Sequence, residues 1–238
     1  ALALLIIVAI AVIIVTPQPK VIDDAGIFTD TQSIVVLPFD NLSNKAAQDY
    51  FSDGITADVS IALSKLSGLL VIAAPSVLAE SNEFVGNVET KYQQLARYIL
   101  TGSVQRAGKK LRVNVILIDN SSHHQLWAES YDREITAVFD VQDDITAKIV
   151  STLSIKLTEE EKKRVAHRYT NSIEAYDHFL RGQALYTQHT NNENLLAREH
   201  FQQAVQLDPN FARAYSTLAL TYVDEYRYQW FASTEQPF

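Results

Sequence analysis

The sequence predicts an α/β domain with a mixed sheet flanked by helices, followed by an all-α helical repeat region and preceded by a partial transmembrane helix. Three observations carry this prediction. Residues 1 to 15 are unbroken apolar sequence, Ser33 to Leu66 passes from a β-branched run to an amphipathic helical pattern, and the sequence beyond Ser172 sets small and aromatic residues at repeat spacing.

The apolar head, ALALLIIVAIAVIIV, is about 22 Å long as a helix, against the roughly 30 Å of a bilayer core. Ala1 starts in mid-apolar sequence and the chain has no methionine, so it reads as cut at its N-terminus, and residues 1–16 as part of a span. A signal-peptide core or a buried helix are the alternatives, although VTPQPK makes a poor cleavage site. Residues 17–32, with Pro17, Pro19, Asp23, Asp24 and Asp30, read as a linker. Its only cation is Lys20, which favours an extracytoplasmic place for residues 17–238, since cytoplasmic flanks are enriched in Lys and Arg.

Residues 33–157 form the predicted α/β domain. Ile34, Val35, Val36, Leu37 and Phe39 make a buried strand with Pro38 at its end. Ile55, Val59, Ala62, Leu63 and Leu66 share one helical face, with Ser52 or Asp53 as cap and Gly68 as terminator. Leu69 to Ala73 is a second strand, and residues 88–97 a second helix. Tyr98 to Arg106 and Lys110 to Asp119 form a hairpin about Ala107-Gly108-Lys109, in which Leu111, Val113, Val115 and Leu117 share a face. The other face turns from Arg112 and Asn114 to Ile116 and Ile118, which predicts cover at one end only. A third strand, Gln125 to Tyr131, precedes a helix carrying Phe139, Ile145, Ile149 and Leu153.

Residues 158–171 form a charged connecting helix opened by a Thr158–Glu161 capping box, with Glu159–Lys163 and Glu160–Arg164 as i,i+4 pairs and solvent around it. In residues 172–238, Ala197, Phe201, Ala204 and Pro209 match helix B of a tetratricopeptide repeat, and Tyr215, Leu218, Ala219 and Tyr222 match helix A of the next. In the preceding helix A, Gly182 and Leu185 fit, His178 and Arg181 depart from the pattern, and three extra residues fall near Thr190 to Asn192. Such repeats cover one another's apolar faces, so further repeats are expected beyond Phe238.

The net charge of −8 argues against general nucleic-acid binding, which needs a basic surface. The absence of cysteine excludes disulfides and thiolate chemistry. There is no P-loop, Rossmann, Gly-x-Ser-x-Gly or His-Glu-x-x-His motif, so no catalytic residue, cofactor or metal site is assigned. His123-His124 point to opposite faces of a strand, and Asp143-Asp144 suit a helix start. Arg106, Lys109, Lys110 and Arg112 form a basic cluster, either a solvated edge or a surface for an acidic partner or lipid headgroups.

The segments SIVVLPFDNLS, DYFSDGIT, ILTGSVQRAGKKLRVNVILID, HHQLWAESYDREITAVFDVQDDI and EAYDHFLRGQALY resemble a TolB-like amino-terminal-type domain followed by tetratricopeptide repeats. This arrangement is similar to the C-terminal halves of membrane-anchored bacterial class III adenylate/guanylate cyclases, and also to membrane-anchored winged-helix regulators. The resemblance implies a single-pass protein of the bacterial inner membrane with residues 17–238 periplasmic and the output domain upstream. It implies a sensory or interaction role, with a cell-envelope assembly factor as a third reading. The expected partner is a protein or peptide held by the repeats, and self-association is left open. The resemblance places Gln183, Tyr186, Arg213, Ser216 and Leu220 in a concave groove. Asp40, Asn41, Ser52, Asp53 and Gly54 are candidates for anion or ligand contact, with capping the simpler reading of the last three.

Overall fold

The computed structural model describes residues 32–43, 46–73 and 96–230. The predicted span at 1–16, all of the linker but Gln32, and all but the last two residues of the helix predicted over 88–97 lie outside them. Among the described residues no helix is long and apolar enough to cross a membrane.

The elements are β1 (Ser33–Val36), β2 (Asp40–Asn41), α1 (Asp49–Ser64), β3 (Leu70–Ala73), β4 (Tyr98–Ala107), β5 (Lys110–Asp119), β6 (His124–Glu134), α2 (Val138–Thr152), α3 (Glu159–Val165), α4 (Ile173–Tyr186), α5 (Asn191–Leu207) and α6 (Ala212–Arg227). The sheet runs β3-β1-β4-β5-β6 and is mixed, as predicted. β1 is parallel to β3 and β4, while β4, β5 and β6 form an antiparallel meander. Parallel β1 and β3 need a crossover, and α1 supplies it.

β2 continues the line of β1 along β4 after a break at Leu37 to Phe39. Pro38 has no N–H to lose there, and the flanking donors are all accounted for. Leu37 N–H donates to Leu100 O (2.9 Å), Leu42 N–H to Val104 O (2.8 Å), and Phe39 N–H to Thr56 Oγ1 on α1 (3.0 Å). The break therefore fixes α1 against the sheet. Phe39 packs over Gly102, where an added Cβ would lie 2.3 Å from Asn114 O.

Leu111, Val113, Val115 and Leu117 are buried as their alternation requires, and the hairpin closes through Gly108 at φ 59°. They meet Phe51, Ile55, Val59 and Leu63 of α1 and Val138, Val141, Ile145 and Ile149 of α2 in one core. Each large side chain so buried contributes about 1.5–3 kcal/mol. Among the described residues the opposite face carries a small cluster of Val35, Ala96 and Ile99 with Ile118 at its margin, matching the polar-to-apolar drift of β5.

Several boundaries differ from expectation. α1 starts at Asp49 behind a 3-10 turn (Ala46–Gln48), so Ser52, Asp53 and Gly54 are helix interior, and it stops at Ser64, before Gly68. β6 runs three residues past Tyr131, because Arg112–Asp132 and Lys110–Glu134 pairing prolongs the ladder. The extra residues Asn191 and Asn192 enter the first turn of α5, capped by Thr190, instead of lengthening the loop. The Thr158 capping box forms. The connecting helix is not merely solvated, however, because the Glu161 carboxylate also accepts from the N–H and hydroxyl of Ser67 (both 2.8 Å). Its exposed ion pair is Lys162–Glu159, not the i,i+4 pairs expected.

The core does not end with the sheet domain. Ala175, Tyr176, Phe179 and Leu180 of α4, Phe201 of α5 and Phe211 before α6 belong to the same apolar cluster. α4 packs against α5, and α5 against α6. Gly182 permits the first contact, since a Cβ there would lie 2.6 Å from the Phe201 ring.

Candidate functional site

The seam between α1 and α4 gathers a polar network centred on two aspartates. Asp58, one residue before Val59 of the buried stripe of α1, accepts from Tyr176 Oη on α4 (2.6 Å) and from Gln142 on α2 (3.4 Å), and pairs with Arg213 on α6 (2.6 Å). One carboxylate thus ties four helices together. Burial, then the Asp58 charge, push the Tyr176 phenol well above its ordinary range, so it stays a donor.

Asp177 is the second centre. It accepts from Tyr50 Oη on α1 (2.8 Å), Arg106 on β4 (2.6 Å) and Arg181 on its own helix (2.8 Å). Burial alone would raise its carboxyl, but the donors from Arg106, Arg181 and Tyr50 hold it below the usual range. Tyr50 is pushed up to about 12 by burial and by its bond to Asp177. Arg106 also lies over the Phe51 ring and Arg181 over the Tyr50 ring.

Between these centres the backbones come close because Gly54 has no side chain; an added Cβ would lie 2.5 Å from both Leu180 methyls. Beside this contact lies a cleft of about 340 Å3 lined by Ala57, Phe179, Leu180 and Ala184, with Asp53, Gln183 and Arg213 at its polar edges. Burial and the charge of Asp49 raise the Asp53 carboxyl. The cleft is built jointly by the sheet domain and the helical region.

The cleft brings together residues from both predicted sets. Asp53 and Gly54 reach it from α1, and Gln183 and Arg213 from α4 and α6. The helix-start reading of Ser52, Asp53 and Gly54 fails, since their N–H groups lie beyond the free first turn of α1. Ser52 donates to Asp49 O within the helix, and Asp40 is an exposed residue of β2. Asn41 bridges locally, accepting from Ser43 N–H and donating to Asp49. Tyr186 donates to the buried Asp224 of α6. Ser216 bonds its own helix, and Leu220 is exposed on α6, away from the cleft lining.

The basic cluster is not one patch. Arg106 turns inward to Asp177, and Arg112, whose neighbour across the ladder is Gln105, pairs with Asp132 on the solvent side. His123 occupies a left-handed turn at φ 58° and His124 opens β6, both exposed. Asp143 joins Asp140 in pairing with Arg168. No group of three metal-ligating residues occurs among the described residues. Sequence reasoning passed over Asp58, Tyr176 and Asp177; the available signal was a carboxylate beside the apolar stripe of α1 and a tyrosine and aspartate inside that of α4.

Fold and cleft together define a scaffold of a mixed-sheet domain with a docked three-helix array. The chain is 38% identical over 202 residues to a Rhizobium meliloti (strain 1021) protein named "Putative adenylate cyclase 3", a match that covers 85% of this chain. The chain spans only about a third (34%) of that relative's length. No protein-family model matches the chain. Among solved structures it is similar to TolB from Acinetobacter baumannii, with 13% identity over 52% of this chain and 28% of that one, at a TM-score of 0.37. It is also similar to the PelC dodecamer protein of Paraburkholderia phytofirmans, with 21% identity over 53% of this chain and 90% of that one, at 0.36.

Proposed function

We propose that the chain is the extracytoplasmic sensory and protein-interaction region of a bacterial membrane signalling protein whose output is a class III adenylate or guanylate cyclase. The observation that carries this reading is the 38% identity over 202 residues to a protein named for cyclase activity. That name favours the cyclase over the winged-helix regulator and the envelope assembly factor. In this reading α4, α5 and α6 are tetratricopeptide repeats, and residues 1–16 belong to the membrane span. The close approach of Gly182 to Phe201 supports the repeat register, because it is the helix A to helix B contact that the small residue serves. The docking of α4 on α1 gives a repeat array a stiff link to the sheet domain.

Two measurements test the proposal. The purified 238-residue chain should make no cyclic nucleotide from ATP or GTP, whereas the longer natural protein should; product formed by the chain alone would refute this division of labour. The chain has no cysteine, so one placed at exposed Ser216 reports sidedness. Labelling by a membrane-impermeant maleimide in intact spheroplasts is expected, and labelling only after lysis would put the region on the cytoplasmic side.

A further inference from the structure

The α1–α4 cleft has a chemistry of its own. Its floor is apolar, from Ala57, Phe179, Leu180 and Ala184, and at about 340 Å3 it lies at the small end of ligand sites, which run from about 300 to 1,000 Å3. Asp53 of α1 stands at its edge, and Asp49 lies one helical turn before it on the same face, where like charges repel. Among the described residues neither carboxylate has a cationic partner. The Asp49 carboxylate accepts only from the amide of Asn41 (2.7 Å), and the Asp53 carboxylate makes no hydrogen bond or ion pair. The nearby cations are already engaged, Arg213 by Asp58 and Arg181 by Asp177. An anion is therefore repelled from this edge, and a cation is attracted.

We propose that this cleft receives a peptide segment carrying an apolar side chain beside lysine or arginine, the apolar group entering between α1 and α4 and the cation resting on Asp49 and Asp53. Burial, and then the charge of Asp49, raise the Asp53 carboxyl, and a cation resting there offsets both. The overall charge of −8 favours the same encounter. The inference rests on the chain being an interaction region, but not on which output it serves.

The test uses the 238-residue chain in neutral detergent, with acetyl-Lys-Leu-Lys-amide and acetyl-Glu-Leu-Glu-amide as probes and backbone-amide NMR shifts as readout. The lysine peptide should shift Gly54, Ala57 and Ala184 saturably, and the glutamate peptide should not. Asp49→Asn with Asp53→Asn keeps the acceptor for Asn41 and should weaken binding about three- to tenfold, as expected for two partly exposed charge contacts. Ala57→Trp, at an exposed position on the floor, should abolish it. Equal binding of both peptides, no saturable shift, or undiminished binding to Ala57→Trp would overturn the proposal. Cyclase assays play no part in this readout, so a wrong output assignment and an empty cleft are told apart.

Discussion

In the repeat reading proposed above, helices α4 and α6 correspond in the register that sets Gly182 against Ala219, and they meet different fates. α4 is covered twice, by α5 at Gly182 and by α1 at Leu180. α6 buries Ala214, Thr217, Thr221 and Asp224 on one side and leaves Tyr215, Tyr222 and Tyr226 exposed on the other, the last at 76%. In that register Tyr176 of α4 corresponds to Arg213 of α6, and both bind Asp58. The sheet domain thus grips both helices, on either side of α5 in the chain, with one carboxylate. A helix with an apolar face needs a neighbour to cover it, and α1 serves as one for α4.

The largest expected effect contrasts the covered and exposed faces. Phe201→Ala removes a fully buried ring from the α4–α5 contact and should cost about 3–5 kcal/mol, whereas Tyr215→Ala should stay within about 0.5 kcal/mol. Urea midpoints of the two variants measure the difference, and comparable losses would break the comparison. Asp58→Ala comes next. It strands Arg213 and the Tyr176 hydroxyl in a largely buried seam and should cost about 3 kcal/mol. Hydrogen exchange should rise in both α4 and α6, and a rise confined to one would show that the shared grip is not shared.

Gly182→Ala is smaller. Overpacking against Phe201 costs about 1–3 kcal/mol and helix propensity returns up to about 1, so a net loss of about 1–2 kcal/mol is expected. Ala219→Leu on the exposed face should be near neutral in the same melt. The smallest effect is a pH dependence at α3, the second link between the sheet domain and the helices. Backbone donors of Ser67 and Thr158, then their hydroxyls, lower the Glu161 carboxyl from 4.5 to about 2. A depressed folded-state value means that the contribution is full above the unfolded value and is lost as pH falls toward the folded one. The stability gap between wild type and Glu161→Gln should therefore narrow between about pH 4.5 and pH 2, and a gap that does not change with pH would refute the ionised link.

What could be read without coordinates was local. The alternation of Leu111, Val113, Val115 and Leu117, the glycine of the hairpin turn, the Thr158–Glu161 cap and the small residues of α4 and α5 each declare a face, a turn or an end within a few positions. The start of α1 was misjudged for a related reason. Ser52 and Asp53 are good caps by type, but the helix extends back to Asp49 once the 3-10 turn and the β1–β2 break set its entry.

The sequence by itself determined the mixed sheet, the helices and the faces that must be buried, because period and capping are properties of neighbouring residues. Only the tertiary structure decided what covers those faces. Asp58 meets Tyr176 across 118 positions and Arg213 across 155, and no local pattern specifies such a meeting. The cleft exists because Gly54, Ala57 and Ala184, small residues with separate local explanations, face one another only after α1 docks on α4.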